Sequence, residues 1–280
     1  MHALPLLLAF ATALIIAPPT LRGLGEGGHT RPNYRRRELP FPFGLLVVAA
    51  ALLALVPVLV IERVAAAQVL YPQWLAVAAY TLGVACLGLI DDAYGEQRPG
   101  AAPVRGWRGH CRAALRGELS TGVLKAAGSL GLALAVANVG RRSTGDWLLA
   151  SAVLVLATNL FNLLDLRPGR STKAFVLLGG GLSIGAADLT PLWVLGLFAG
   201  PALVAGVYDL RERTMLGDTG ANVLGALAGL WLVLTLSGTG QEIALALLAT
   251  ITVYGEFRSI SALLEKTPGL RALDSLGRPS

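Results

Sequence analysis

Asn159, Asn162 and Asp165, spaced three apart, stand in the stretch ATNLFNLLDLRPGRSTK, which closes one apolar run and opens the next. On a helix that spacing keeps all three within one sector of the surface. Three polar groups on one face where a membrane-spanning helix leaves the hydrocarbon are costly, so they mark either a functional site or a helix end facing water. Other acids follow the same placement: Asp91 and Asp92 end an apolar run, and Asp218 opens one. Carboxylates gathered at one depth repel unless a cation lies among them. Oxygen ligands with no histidine or thiol beside them suit a hard ion, and with phosphates that ion is usually magnesium. Asn222 falls one turn after Asp218 and shares its face. Lys125 lies under two turns inside an apolar run, where it either meets a counter-charge or phosphate or snorkels to the interface. His110, in the basic loop RGWRGHCRAALRG, is most simply solvent-exposed, although its neighbours would draw an anionic lipid or nucleotide.

The elements that must position these side chains are long and apolar. The chain has 280 residues, is 54% hydrophobic and only 14% charged, with a mean hydropathy of +0.64. A soluble domain carries nearer a quarter charged residues. The composition predicts an all-α, polytopic membrane protein, since the apolar runs are too continuous for the alternating strands of a barrel. Nine spans are expected, at about 3–21, 41–61, 72–90, 119–139, 147–164, 174–187, 189–208, 217–236 and 242–261. Basic residues crowd alternate loops, the intervening loops holding only Arg63, Arg141 and Arg142. By the positive-inside rule the N-terminus lies outside, while the acids, the 261–280 tail and the C-terminus face the cytoplasm. The net charge of +6 points to anionic membrane lipids, not nucleic acid. Two cysteines, Cys86 and Cys111, make no disulfide framework and fit a reducing side. No internal repeat divides the chain, and 1–280 reads as one transmembrane domain.

DD after the third run, RGHCRAALRGELSTGVLK, NLFNLLD and MLGDTGANVLG occur in this order. Together they resemble the polyprenyl-phosphate N-acetylhexosamine-1-phosphate transferases, glycosyl transferase family 4, over about 31–236. The resemblance implies transfer of a sugar-1-phosphate from a UDP-sugar to a polyprenyl (undecaprenyl) phosphate in the plasma membrane, with Mg2+ as cofactor and UMP as leaving group, for cell-envelope glycan synthesis. It implies Asp218 and Asn162 as magnesium ligands and Asp91 and Asp92 as the acidic pair that handles the lipid phosphate. Lys125 would be the lysine near the phosphates, and Asn159 and Asp165 the polar face of the same cleft. It leaves a homodimer open as the assembly.

The chain also departs from the family. Where the family reads NxxNxxDGxDG, Leu166 replaces the first glycine and Pro168 the second aspartate. Arg167 and Arg170 are placed to bind donor phosphates instead. The loop RPNYRRRELPFPFG loosely matches the family's PTxGG region, and no histidine-rich loop follows the ninth run. The alternative function is therefore a non-catalytic descendant that binds lipid-linked intermediates or scaffolds envelope enzymes. A secondary transporter ranks last, because its polar residues would cluster near mid-bilayer in broken helices.

Overall fold

The computed structural model describes residues 1–94, 121–139 and 143–279. Among them every expected span contains a helix: α1 (Leu4–Glu26), α2 (Leu45–Val64), α3 (Trp74–Tyr94), α4 (Thr121–Ala137), α5 (Thr144–Leu164), α6 (Arg170–Ala186), α7 (Thr190–Leu210), α8 (Gly217–Thr235) and α9 (Gly238–Phe257). A short antiparallel hairpin, β1 (Thr30–Pro32) and β2 (Glu38–Pro40), follows α1. Two short helices, α10 (Ile260–Lys266) and α11 (Pro268–Ser275), follow α9. Six helices, α1, α2, α3, α5, α7 and α8, are long and apolar enough to cross a membrane; α9 and α10 qualify only as a pair bent by 99°. This is an all-α, multi-pass architecture. Large apolar side chains on the outer helices, such as Leu14, Ile15, Leu53, Val56, Leu247 and Ile251, stay exposed, as a lipid-facing belt requires.

Local chemistry sets the helix starts. Ser143 and Ser237 cap α5 and α9 by accepting from the amides of Asp146 and Gly240, which satisfies donors that an uncapped first turn would strand. Pro5, Pro191 and Pro268 stand in the first turns of α1, α7 and α11, where a missing N–H costs nothing. Helix α6 starts earlier than expected, because Gly169 adopts φ +70° and turns the chain straight into it.

Helix α8 is buried along nearly its whole length, packed among α3, α5, α6 and α7. Small residues permit this. A Cβ on Gly88 would lie 2.6 Å from the carbonyl oxygen of Asp218, and one on Gly225 would lie 2.6 Å from Thr158 Cα. Gly225 and Gly229 thus form a packing surface against α5. Successive helices alternate in direction. The C-terminal ends of α1, α3, α5 and α7, the N-terminal ends of α2, α4, α6 and α8, and the hairpin accordingly meet at one end of the bundle.

Candidate active site at one end of the bundle

The site grows from two helix ends that meet head to tail. Residues 40–44 after β2 run alongside the turn before α8: Phe43 N donates to Met215 O at 2.9 Å, Gly44 N to Leu216 O at 2.9 Å, and Met215 N to Pro40 O at 3.1 Å. Gly217, at φ +71°, then starts α8. No side chain within α8 caps it; Asp92, at the end of α3, does so from outside. Asp92 Oδ1 accepts from the Asp218 amide at 2.8 Å, and Oδ2 from the Thr219 amide at 2.8 Å and the Thr219 hydroxyl at 2.6 Å. A carboxylate at a helix N-terminus is further favoured by the helix dipole. Arg31 Nη2 donates to the Asp92 carbonyl at 2.6 Å, tying the hairpin to the same corner.

With the α8 terminus fixed, Asp218 faces Lys125 of α4. Lys125 Nζ donates to Asp218 Oδ2 at 2.6 Å and to Asp91 Oδ2 at 3.4 Å. The Asn162 amide satisfies both neighbours when its nitrogen donates to Asp218 Oδ1 at 2.8 Å and its oxygen accepts from Lys125 at 3.2 Å. A single ammonium thus meets oxygens of Asp91, Asp218 and Asn162 and offsets part of the carboxylate charge. These are hard donors. Among the described residues no three His, Cys, Asp or Glu side chains come close enough to hold a metal alone. Two carboxylates and an amide carbonyl nevertheless suit magnesium, which usually keeps waters and phosphate oxygens for its remaining positions.

A cavity of about 310 Å³ opens beside this cluster. Asp91, Asp92, Asp165, Asp209 and Asp218 contribute acid to its wall, while Arg31 and Arg167 contribute the cations. Asp165 Oδ1 accepts from the Ser171 hydroxyl at 2.8 Å. Removal from water, and then the nearby Asp209 carboxylate, push the Asp165 carboxyl well above the ordinary carboxylate range. Asp209 Oδ2 accepts from the Gly169 amide at 2.6 Å, fixing the turn that carries Arg167 and Pro168.

Asp91, Lys125, Asn162, Asp165 and Asp218 come together at this end of the bundle, and Arg167 reaches the cavity mouth over the Tyr34 ring, 4.7 Å from its centroid. Four expectations need correction. Asp92 is expected to handle substrate, but both its carboxylate oxygens are taken by α8; it positions Asp218. Arg170 is expected to bind donor phosphates, but it is 5% exposed and pairs with Asp274 at 2.8 Å and 3.1 Å, away from the cavity. Asn222 is buried beneath the site within α8, with neither amide atom hydrogen-bonded, because α8 is packed on all sides. Asn159 is on the exposed surface of α5 and does not line the cavity. His110 lies outside the described residues. Asp209, Arg31 and Tyr34 were missed. Asp209 ends α7 as Asp165 ends α5, so the rule that found the other acids would have found it.

Fold and site together define a polytopic helical membrane protein with an acidic cavity at one end, beside a lysine-bridged carboxylate pair. No family model matches the chain. The chain is similar to the phospho-N-acetylmuramoyl-pentapeptide-transferase of Synechococcus sp. (strain JA-3-3Ab), at 34% identity over 170 residues, 58% of this chain and 48% of that protein. This is a distant family relation, in the direction the motifs indicated. The chain spans about half the length of the curated relative it matches.

Proposed function

We propose that the chain is a magnesium-dependent phosphoglycosyl transferase. It moves a sugar-1-phosphate from a nucleotide sugar, UDP-linked, to a polyprenyl phosphate at the cytoplasmic face of the plasma membrane, for cell-envelope glycan synthesis. The observation that carries this reading is the Lys125–Asp218 contact of 2.6 Å, flanked by Asp91 and Asn162 beside an open cavity. The 34% identity to a transferase supports the class.

In such a transfer an oxygen of the lipid phosphate bonds to the sugar-bearing phosphorus of the donor. The phosphoanhydride bond breaks, and the nucleoside monophosphate leaves with the bonding pair. Both reactants are anions, so the barrier is largely electrostatic. Lys125 meets the charge that develops on the transferred phosphate, and Arg167 meets the donor at the cavity mouth. Asp218, Asp91 and Asn162 would hold magnesium, which when bound neutralises the diphosphate. Asp92 keeps Asp218 from drifting, and positioning of this kind accounts for much of such catalysis.

The test is release of nucleoside monophosphate from a panel of nucleotide sugars by purified protein supplied with undecaprenyl phosphate and magnesium. Release that disappears with Asp218→Asn supports the reading, and none across a broad panel overturns it. A second reading, a non-catalytic binder of lipid-linked intermediates, draws on Arg170, which the chain commits to its own Asp274. Tight polyprenyl-phosphate binding without turnover, unchanged by Asp218→Ala, would favour that reading.

A further inference from the structure

After α9 the chain bends by 99° and α10 and α11 lie across the site end of the bundle. Charge holds them there. Arg170, in the first turn of α6, grips Asp274 with two nitrogens and donates to Ser261 Oγ at 2.9 Å. Arg278 grips the same carboxylate at 2.8 Å and 3.1 Å. Asp274, Arg170 and Arg278 are 11%, 5% and 9% exposed at their side chains, so this is a nearly dry Arg–Asp–Arg cluster. Lys173 Nζ donates to the carbonyls of Leu273, Asp274 and Leu276 at 3.0, 2.5 and 3.1 Å, placing a cation where the end of α11 leaves oxygens unpaired.

Two of these contacts reach the wall of the cavity. Arg278 Nε donates to the Pro168 carbonyl at 2.8 Å, and Glu265 pairs with Arg167 at 2.8 Å. Arg167 and Pro168 both line the cavity, whereas no residue of 260–279 does. Arg35 Nη2, from the hairpin, donates to Pro279 O at 3.1 Å, so the segment is tied on both sides of the opening.

We infer that segment 260–279 is a buttress for the donor-binding wall: Asp274 anchors it, and Glu265 and Arg278 position Arg167 and Pro168 for the phosphates of the donor. The inference rests on the transferase reading for the ligand, but not for the mechanical coupling. Asp274 and Glu265 are positioning residues. They touch no substrate and act through the turn at 165–169, whose amide at Gly169 is bonded to Asp209.

The test is hydrogen exchange on the full chain in lipid nanodiscs, alongside donor kinetics. Asp274→Asn should release 260–279 and also speed exchange at 165–169. Donor KM should rise about tenfold with kcat within about twofold, the signature of lost binding that ground and transition states share equally. Asp274→Glu should restore part of both effects. Glu265→Gln, at the half-exposed end of the segment, should raise KM by a smaller factor without releasing it, and it guards against an unfolded Asp274 variant. If 260–279 is released while exchange at 165–169 and donor KM stay at wild-type values, the buttress is overturned. If the wild type turns over no donor, the transferase reading falls, and exchange at 165–169 alone decides the coupling.

Discussion

Lys125 and Asp218 come from helices far apart in the chain, yet their charged atoms meet at 2.6 Å, with Asp91 3.4 Å from the same ammonium. The lysine is the cation that makes two neighbouring carboxylates tolerable. Lys125→Met should therefore lower thermal stability as well as remove activity. Breaking a partly buried pair of this kind costs about 1–3 kcal/mol after allowance for solvent. Magnesium should recover more stability in the variant than in the wild type. Equal magnesium shifts in the two melting curves would contradict a shared cation position.

Asp92→Ala should destabilise by about 1–2 kcal/mol, the cost of a lost N-cap, and should lower kcat by displacing Asp218. Asp92→Asn keeps an acceptor for one amide and should lie between. An Asp92→Ala protein with wild-type stability would refute the capping role.

Arg167→Ala and Arg170→Ala should separate cleanly. The first should raise donor KM by roughly tenfold to a hundredfold and leave stability nearly unchanged, because a contact of this kind to a charged phosphate is worth on the order of 1.5–3 kcal/mol. The second leaves the nearly buried Asp274 with one partner fewer and should show as lost stability and protease sensitivity near 260–279. The sequence alone offered no way to separate these two arginines. Both follow Asp165 within five residues, and only the docking of Asp274, about a hundred residues later, withdraws one of them.

The segment should respond to pH with a definite sign. Its arginines hold Asp274 well below the ordinary carboxylate value of 3.8 against the opposing effect of burial. Stability from this group is therefore fully present above that value and is lost only as pH falls below it. Burial, and then Arg278, lower Lys173 from 10.5 to about 8. The unfolded chain holds more protons on this group between those values, so its contribution improves as pH rises from about 8 towards 10.5. Exchange protection of 260–279 should be flat from pH 5 to 7 and should weaken only in strong acid. A loss of protection near pH 6 would refute the assignment.

Asp165 runs the other way. Its folded value is raised, so its contribution is full in acid and is lost as pH rises through that value. Asp165→Asn should melt like the wild type at pH 4 and above it at pH 8, while losing transfer activity. A lower melting temperature at both pH values would show that the carboxylate is required for folding.

The helices were legible because hydrophobic run length and flanking charge are local properties, and so were the acids at helix ends, since the lipid boundary is costly for them. The division of labour within Asp91–Asp92 was not legible. Adjacent residues of one type differ only in which neighbour each side chain reaches, and Thr219 lies 127 positions further along. Asn222 shares the face of Asp218 on paper, but a helix packed all round offers no face to solvent. The family resemblance singled out Asp91, Lys125, Asn162 and Asp218, which the fold brings together, while the contacts of Arg170 and Pro168 with Asp274 and Arg278 show what the departing stretch RPGRS does here.

Helix α8 has the lowest hydropathy of the six long apolar helices, 1.3 against 2.8 for α2, and it is the most enclosed. Such a helix gains little from lipid and much from neighbours already in place. During synthesis the ribosome delivers α3, α4 and α5 first, so Asp91, Lys125 and Asn162 wait in an incomplete bundle for the helix that brings Asp218. The cavity is therefore among the last features of the chain to mature, and the segment that braces it follows later still. Assembly defects in α8 should thus strand protein that is inserted in the membrane but has no site, a state visible to quality control before it is visible as lost turnover.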